Sequence, residues 1–249
     1  MRRLARIFAL LAVLLLGGGT PLLAGEPVFD AREERAIREI VADHLRQNPE
    51  IILEAVRLLR ERQARAEDDR RRQAILRLRD RLERDPNSPV GGNPDGDVTI
   101  VEFFDYRCPY CKRVAPTVRE LLERDGNIRL VYKEWPILGP DSEFAARAAL
   151  AAREQGRYPE FHDRIMGLKR VDEASVLAAA RELGLDVARL RADMRSPETE
   201  RHLAETMELA ERLGITGTPA FVVGEELIPG MADRATLEQL VARAREGAS

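Results

Sequence analysis

Apolar positions along the chain change their spacing several times, and each change predicts an element. An unbroken apolar run, Ile7–Leu16, follows three arginines and ends in Gly17-Gly18-Gly19. From Ile37, the residues Ile40, Val41, His44 and Leu45 fall on one helical face, and Asp30 stands where an N-cap belongs. Asn48-Pro49 reads as a helix restart, a cap residue followed by proline at the first helical position. Ile51, Ile52, Ala55, Val56, Leu58 and Leu59 form the next apolar face. Residues 60–72 are nearly all charged or small and contain no Gly or Pro, the pattern of a solvated helix with i, i+4 pairs. Ile75, Leu76, Leu78 and Leu82 resume an apolar stripe that Asp85-Pro86-Asn87 stops. Pro86, Pro89, Gly91, Gly92, Pro94 and Gly96 then make residues 86–97 a linker or turn cluster, with the main domain starting after it.

The main domain opens on Val98–Phe104, an apolar run of strand length. A helical pattern follows to about Arg124, and Ile128–Tyr132 is a second strand in βαβ arrangement with the first. Residues 141–214 are helical in pattern, divided by Gly156, Gly167, Gly184 and Pro197. Phe221–Val223 and Glu226–Ile228 read as a hairpin around Gly224. Asp233 caps a last helix whose apolar face is Leu237, Leu240 and Val241. The order is βαβ, a helical insertion, then ββα.

The first segment sets a compartment. Arg2, Arg3 and Arg6, the short apolar run, the glycines with Thr20 and Pro21, and the small Ala24 have the anatomy of a cleaved secretory signal peptide over residues 1–24. The run is short of the roughly 20 apolar residues a membrane span needs, and an uncleaved anchor is the alternative. Export to the periplasm follows, an oxidising space in which disulfides form. Removing three arginines and no acid takes the formal charge from −3 to −6. A mildly acidic chain with both signs mixed lacks the electrostatic footprint of a nucleic-acid binder. Residues 25–85 carry 15 Arg and 15 Asp or Glu, so this N-terminal helical region is neutral. Its apolar faces need a cover, because isolated helices of this length are marginal in water. They either fold back on the main domain or pack on copies of themselves in a homo-oligomer.

Only two cysteines are present, in one tetrapeptide, Cys108-Pro109-Tyr110-Cys111. A crosslink this short restricts the unfolded chain little, since the entropic gain grows with loop length. The pair is therefore placed for reactivity, and a CxxC between a strand and a helix is a redox pattern. A zinc site needs about four ligands, and His44, His162 and His202 show no paired ligand spacing. No metal site or cofactor is expected, because the two thiols carry the chemistry themselves. The thiolate is the attacking species. Cys108 stands at the helix start, where unpaired N–H groups and the dipole favour negative charge, and Pro109 suits the first turn because its missing N–H costs nothing there. Cys108 is thus the exposed nucleophile and Cys111, one turn on, the resolving thiol. Glu102 lies six residues before Cys108 in an apolar strand. If buried, its carboxyl has a raised pKa and can relay a proton to or from Cys111; facing outward, it is an ordinary strand residue.

Three separated motifs, Val101–Lys112, Lys133–Pro140 and Gly217–Phe221, resemble the DsbA family of thiol–disulfide oxidoreductases over roughly residues 86–249. The segment His44–Glu50 resembles the N-terminal extension of ScsC-like members, and residues 30–63 share that likeness. The resemblance implies a thioredoxin-like α/β fold with an inserted helical domain at about 141–214, plus an N-terminal helical extension that in some ScsC-like proteins makes trimers. It also implies that Thr218-Pro219 is a cis bond facing the CxxC, with the Thr218 backbone open to an extended substrate and its hydroxyl near the nucleophilic sulfur. DsbA itself carries Pro-His between its cysteines. Tyr110 cannot bear that positive charge, which predicts a less oxidising potential.

The expected function is a periplasmic disulfide oxidoreductase acting on unfolded or misfolded secreted proteins and recycled by a membrane redox partner. As an oligomer it would act as an isomerase or reductase. The alternatives are a monomeric dithiol oxidase, or a chaperone or copper-handling protein using the same groove without turnover.

Overall fold

The computed structural model describes residues 29–247, so the predicted signal segment lies outside the described residues. The chain divides into two units, residues 1–61 and 62–249. In the first unit, α1 (Ala31–Gln47) starts on a capping box: Asp30 accepts from the Arg32 and Glu33 backbone N–H groups, and Glu33 reaches back to the Asp30 N–H. Asn48 ends this helix, its side chain donating to the His44 carbonyl, and its own carbonyl accepts from the Ile51 N–H at 3.2 Å at the start of the next one. The helix α2 (Glu50–Glu83) then runs unbroken through the charged stretch. Ile40, Leu53 and Leu59 are 68%, 72% and 55% exposed, and Ile37, Val41, Ile52 and Val56 are exposed with them.

The second unit is built on a five-stranded sheet of order β1-β3-β2-β4-β5. The central pair, β2 (Val98–Phe104) and β3 (Ile128–Glu134), is parallel and joined by α3 (Pro109–Arg124). The hairpin of β4 (Ala220–Val223) and β5 (Glu226–Pro229) lies antiparallel on the β2 side, turning at Gly224, whose φ is +59°. On the other side is β1 (Val90–Gly92), antiparallel to β3. This strand sits inside the cluster read from sequence as a linker. At Gly92, φ is +65° and a Cβ would lie 2.4 Å from the Ile128 carbonyl oxygen, so the close pairing admits only glycine.

Side chains of a strand alternate between faces, and the two faces of this sheet have separate cores. Ile100 and Phe104 of β2 and Leu130 of β3 pack with α3, with α9 (Arg234–Gly247) and with the inserted helices α4 (Pro140–Arg153), α5 (Tyr158–Met166), α6 (Glu173–Glu182) and α7 (Val187–Asp193). Val101, Phe103 and Val131 pack on the opposite face with Trp135, with Leu209 of α8 (Pro197–Arg212), and with Ile75, Leu78 and Leu82 of α2. Residues 62–83 thus complete a core of the second unit, whereas the sequence pattern had grouped them with the N-terminal region. The fully buried Lys133 ammonium anchors this junction: it donates to the Arg81 carbonyl at 3.0 Å, Ser88 Oγ at 2.7 Å and Asp85 Oδ2 at 3.1 Å. The βαβ, helical insertion, ββα order stands as expected, and the fold is thioredoxin-like with a helical insertion and a helical N-terminal region.

Candidate active site

β2 runs into a tight turn that sets the first cysteine. The Cys108 N–H donates to the Asp105 carbonyl at 3.0 Å, and the Arg107 N–H donates to the Asp105 side chain at 2.7 Å. Pro109 then opens α3, and Cys108 is its N-cap residue with no side-chain cap bond. The first-turn N–H groups of α3 lack intrahelical partners, so Cys108 stands at the positive end of the helix. Cys111 is one turn on and wholly buried, and burial pushes its thiol far above the usual cysteine range. Cys108 is itself only 4% exposed. Sequence placed it as an open nucleophile, but the structure leaves a narrow edge, because its thiol donates to the Thr218 carbonyl at 3.2 Å. Both cysteines are free thiols.

Thr218-Pro219 is a cis bond. The Thr218 carbonyl, not its hydroxyl, makes the hydrogen bond with Cys108. The Pro219 carbonyl accepts from the Gly230 N–H at 2.8 Å, which brings the loop after β5 beside the redox turn. Tyr110 is 52% exposed, and the Arg113 guanidinium lies 5.0 Å from its ring centroid. Such an arrangement is attractive because the ring face is negative. The tyrosine thus brings a cation to the first turn that the dipeptide alone did not reveal.

Glu102 shares a strand face with Ile100 and Phe104, which points it inward. It is 4% exposed, and burial pushes its carboxyl up from 4.5 to about 8. It faces a cavity of about 120 Å³ walled by Val118, Leu130, Tyr132 and His162, with Arg119 and Asp163, an ion pair at 2.9 Å, also lining it. Its charge, when present, also raises the Cys111 thiol. His162 packs in the core as a structural residue. It is buried, its Nδ1 is 3.0 Å from the Tyr106 hydroxyl, and burial lowers its pKa to about 3.

Several groups had no role in the sequence reading. The Lys112 ammonium donates to the carbonyls of Ile165, Met166 and Leu168 at 3.3, 3.0 and 2.9 Å, closing the end of α5 onto α3. The buried Glu134 accepts from the Tyr158 hydroxyl and pairs with His202 Nε2 at 2.7 Å, tying α5 and α8 to β3. A lysine directly after the CxxC, and adjacent Lys133-Glu134 beside an apolar strand, are the signals that could have found these positions. Their partners are remote in sequence.

A paired CxxC at a helix N-terminus, facing a cis-proline loop across a central parallel βαβ unit, defines a thioredoxin-fold thiol–disulfide oxidoreductase. More narrowly, the chain belongs to the DsbA family: the DSBA-like thioredoxin domain matches residues 99–242. The N-terminal domain of the copper resistance protein ScsC matches residues 33–66. A thioredoxin-like oxidoreductase from Silicibacter pomeroyi is 55% identical, covering 68% of this chain and 98% of that one with a TM-score of 0.67. A linker-deletion variant of ScsC from Proteus mirabilis is 29% identical, covering 90% and 100% with a TM-score of 0.68. The thiol-disulfide exchange protein alpha-DsbA2 from Wolbachia pipientis is 28% identical, covering 72% and 97% with a TM-score of 0.67. Among curated relatives, the Na(+)/H(+) antiporter NhaA 1 of Salinispora arenicola is 36% identical over 137 residues, 54% of this chain and 21% of that protein. The chain spans about a fifth to a quarter of the length of the first curated relatives it matches. Among the described residues no group of three or more His, Cys, Asp or Glu is arranged to hold a metal ion.

Proposed function

We propose that this protein is a periplasmic disulfide isomerase or reductase that works as a homo-oligomer on misfolded secreted proteins. The observation that carries the exchange chemistry is the asymmetry of the two thiols. Cys108 is the N-cap of α3 and keeps a narrow exposed edge beside the Thr218 carbonyl, while Cys111, one turn on, is wholly buried with its thiol pushed up by burial. The Cys108 thiolate attacks one sulfur of a substrate disulfide, forming a mixed disulfide and releasing the other substrate sulfur as a thiolate. A second substrate thiolate then displaces Cys108, which completes an isomerisation. Alternatively, Cys111 attacks Cys108, reducing the substrate and leaving an enzyme disulfide for a membrane partner to reduce. Cys111 must lose a proton to attack, and Glu102, titrating at about 8, accepts it in its ionised form, so this route gains as pH rises toward 8. Thr218 and Pro219 offer the backbone edge for an extended substrate segment. Pro109 fixes the first turn. Tyr110, neutral itself, supports a potential less oxidising than that of DsbA.

The exposed apolar side chains of α1 and of the first turns of α2, Ile37, Ile40, Val41, Ile52, Leu53, Val56 and Leu59, support the oligomer, since contiguous apolar surface marks interaction sites. The matched ScsC N-terminal domain covers the same residues. The predicted leader supports export; among the described residues no helix is long and apolar enough to cross a membrane. Light scattering of the mature protein, alone and with Ile40→Glu, Leu53→Glu and Leu59→Glu together, tests the assembly. The expected result is an oligomer that the triple variant reduces to a monomer, with refolding of scrambled ribonuclease lost and insulin reduction kept. A monomeric parent overturns the isomerase reading and leaves a plain dithiol oxidase.

A further inference from the structure

Asp105 makes more contacts around the redox turn than any role so far assigned to it requires. Its side chain is 2% exposed and makes four hydrogen bonds, all from neutral donors. Oδ1 accepts from the Arg107 N–H at 2.7 Å and from the Ser142 hydroxyl at 2.8 Å. Oδ2 accepts from the Ile137 and Leu138 N–H groups at 2.8 and 3.0 Å. Its backbone carbonyl holds the Cys108 N–H, and its own backbone dipole works against the burial that raises the Cys111 thiol. Nearby cations are directed elsewhere: Arg107 Nη1 donates to the Leu138 carbonyl at 2.8 Å, and Lys112 to the end of α5. One residue thus joins both cysteines, the segment after β3, and the first turn of the helical insertion.

We propose that Asp105 is a positioning residue of the exchange reaction, its carboxylate locking the Asp105–Cys108 turn to the 137–142 segment and so setting the balance between dithiol and disulfide. The proposal rests on Cys108 and Cys111 being the redox pair. An Asp side chain accepting from the N–H two residues on forms a self-closing turn, and hydrogen bonds to an ionised acceptor are about twice as strong as neutral ones. The turn fixes where Cys108 Sγ lies relative to the α3 N-terminus and Thr218. That placement matters for the free thiol or thiolate and much less once the sulfur is bonded to Cys111. Loosening the turn therefore penalises the dithiol more than the disulfide. Asp105→Asn keeps the shape but turns one acceptor into a donor facing the Ile137 and Leu138 N–H groups. Asp105→Ser still accepts from Arg107 and releases the 137–138 segment.

The test is the thiol–disulfide equilibrium with glutathione, read by gel shift on the full mature chain, with the iodoacetamide alkylation rate of Cys108 at pH 6. Asp105→Asn should move the equilibrium about tenfold toward the disulfide, about 30 mV for a two-electron couple, and slow alkylation in parallel. Asp105→Ser should shift both less, and it decides alone if the Asn variant does not fold. Thermal unfolding of both redox forms is the control. Equal destabilisation of the two forms with an unchanged equilibrium would show a merely structural residue and overturn the proposal. Faster alkylation would overturn it too, because the carboxylate's charge would then outweigh its hydrogen bonds. A parent that reaches no equilibrium with glutathione would instead sink the redox pair itself.

Discussion

Replacing Glu102 by Gln should stabilise the protein at neutral pH and leave it nearly unchanged at pH 4. The Glu102 carboxyl titrates at about 8 in the folded chain against 4.5 ordinarily, because burial opposes its charge. Below pH 4.5 the group is protonated in both states and contributes no pH dependence. Between pH 4.5 and 8 the unfolded chain ionises while the folded chain does not, so the folded state loses stability as pH rises. At 1.36 kcal/mol per tenfold, the full penalty above pH 8 is roughly 5 kcal/mol, of which about 3 kcal/mol is present at pH 7. Glutamine is neutral, nearly isosteric and fits the same cavity beside Tyr132 and His162. Urea unfolding of the reduced forms at pH 4, 5.5, 7 and 8 reads this directly. With a typical slope of about 1–3 kcal/mol per molar, the variant's midpoint should rise by one to three molar at pH 7 and match the parent's at pH 4. Midpoints that differ by the same amount at every pH would refute the raised pKa and with it the proton-accepting role. The same variant should slow release of the mixed disulfide by Cys111, since the proton then leaves only to solvent.

His162 gives the opposite trend. With its pKa lowered to about 3, the folded state stays neutral while the unfolded chain binds a proton below 6.5, so stability falls as pH drops from 6.5 toward 3. His162→Phe should flatten that acid limb in a urea titration while costing about 1–3 kcal/mol at pH 7, because the buried Tyr106 hydroxyl loses one of its partners. Lys133→Met should cost about 3–5 kcal/mol by chemical denaturation, since it leaves Asp85 buried without its cation; a loss below 1 kcal/mol would mean that the 62–88 segment is not held by this pair.

The elements that organise the site were written in local patterns. Val98–Phe104 carries an apolar run of strand length, Gly224 turns a hairpin, and Gly156, Gly167, Gly184 and Pro197 mark the breaks between inserted helices, so their order followed from the chain alone. The tetrapeptide and its strand–helix setting placed Cys108 at the N-cap where it lies. β1 escaped because three residues, two of them glycines, carry no alternation; pairing with Val131 and Leu130 makes it a strand. The last turns of α2 looked like part of a charged arm because Ile75, Leu78 and Leu82 are separated by arginines and acids, and only the apolar sheet face they cover explains them. The contacts that shape the chemistry span long separations: Cys108 and Thr218 are 110 residues apart, and Lys133 finds Ser88 at 45 and Asp85 at 48. Local spacing names such residues, but their partners are set by topology. Thr218 shows the difference: the resemblance indicated its hydroxyl, whereas the chain path presents its carbonyl.

The most direct measurement is covalent trapping. Cys111→Ser and Cys108→Ser variants are each incubated with a peptide carrying one disulfide, and the adducts are located by mass spectrometry. With Cys108 as nucleophile and Cys111 as the resolving thiol, Cys111→Ser should accumulate a stable mixed disulfide on Cys108, and Cys108→Ser should form almost none and lose insulin reduction. Equal trapping by both variants, or insulin reduction that survives Cys108→Ser, would contradict a thiol–disulfide exchange site built on Cys108.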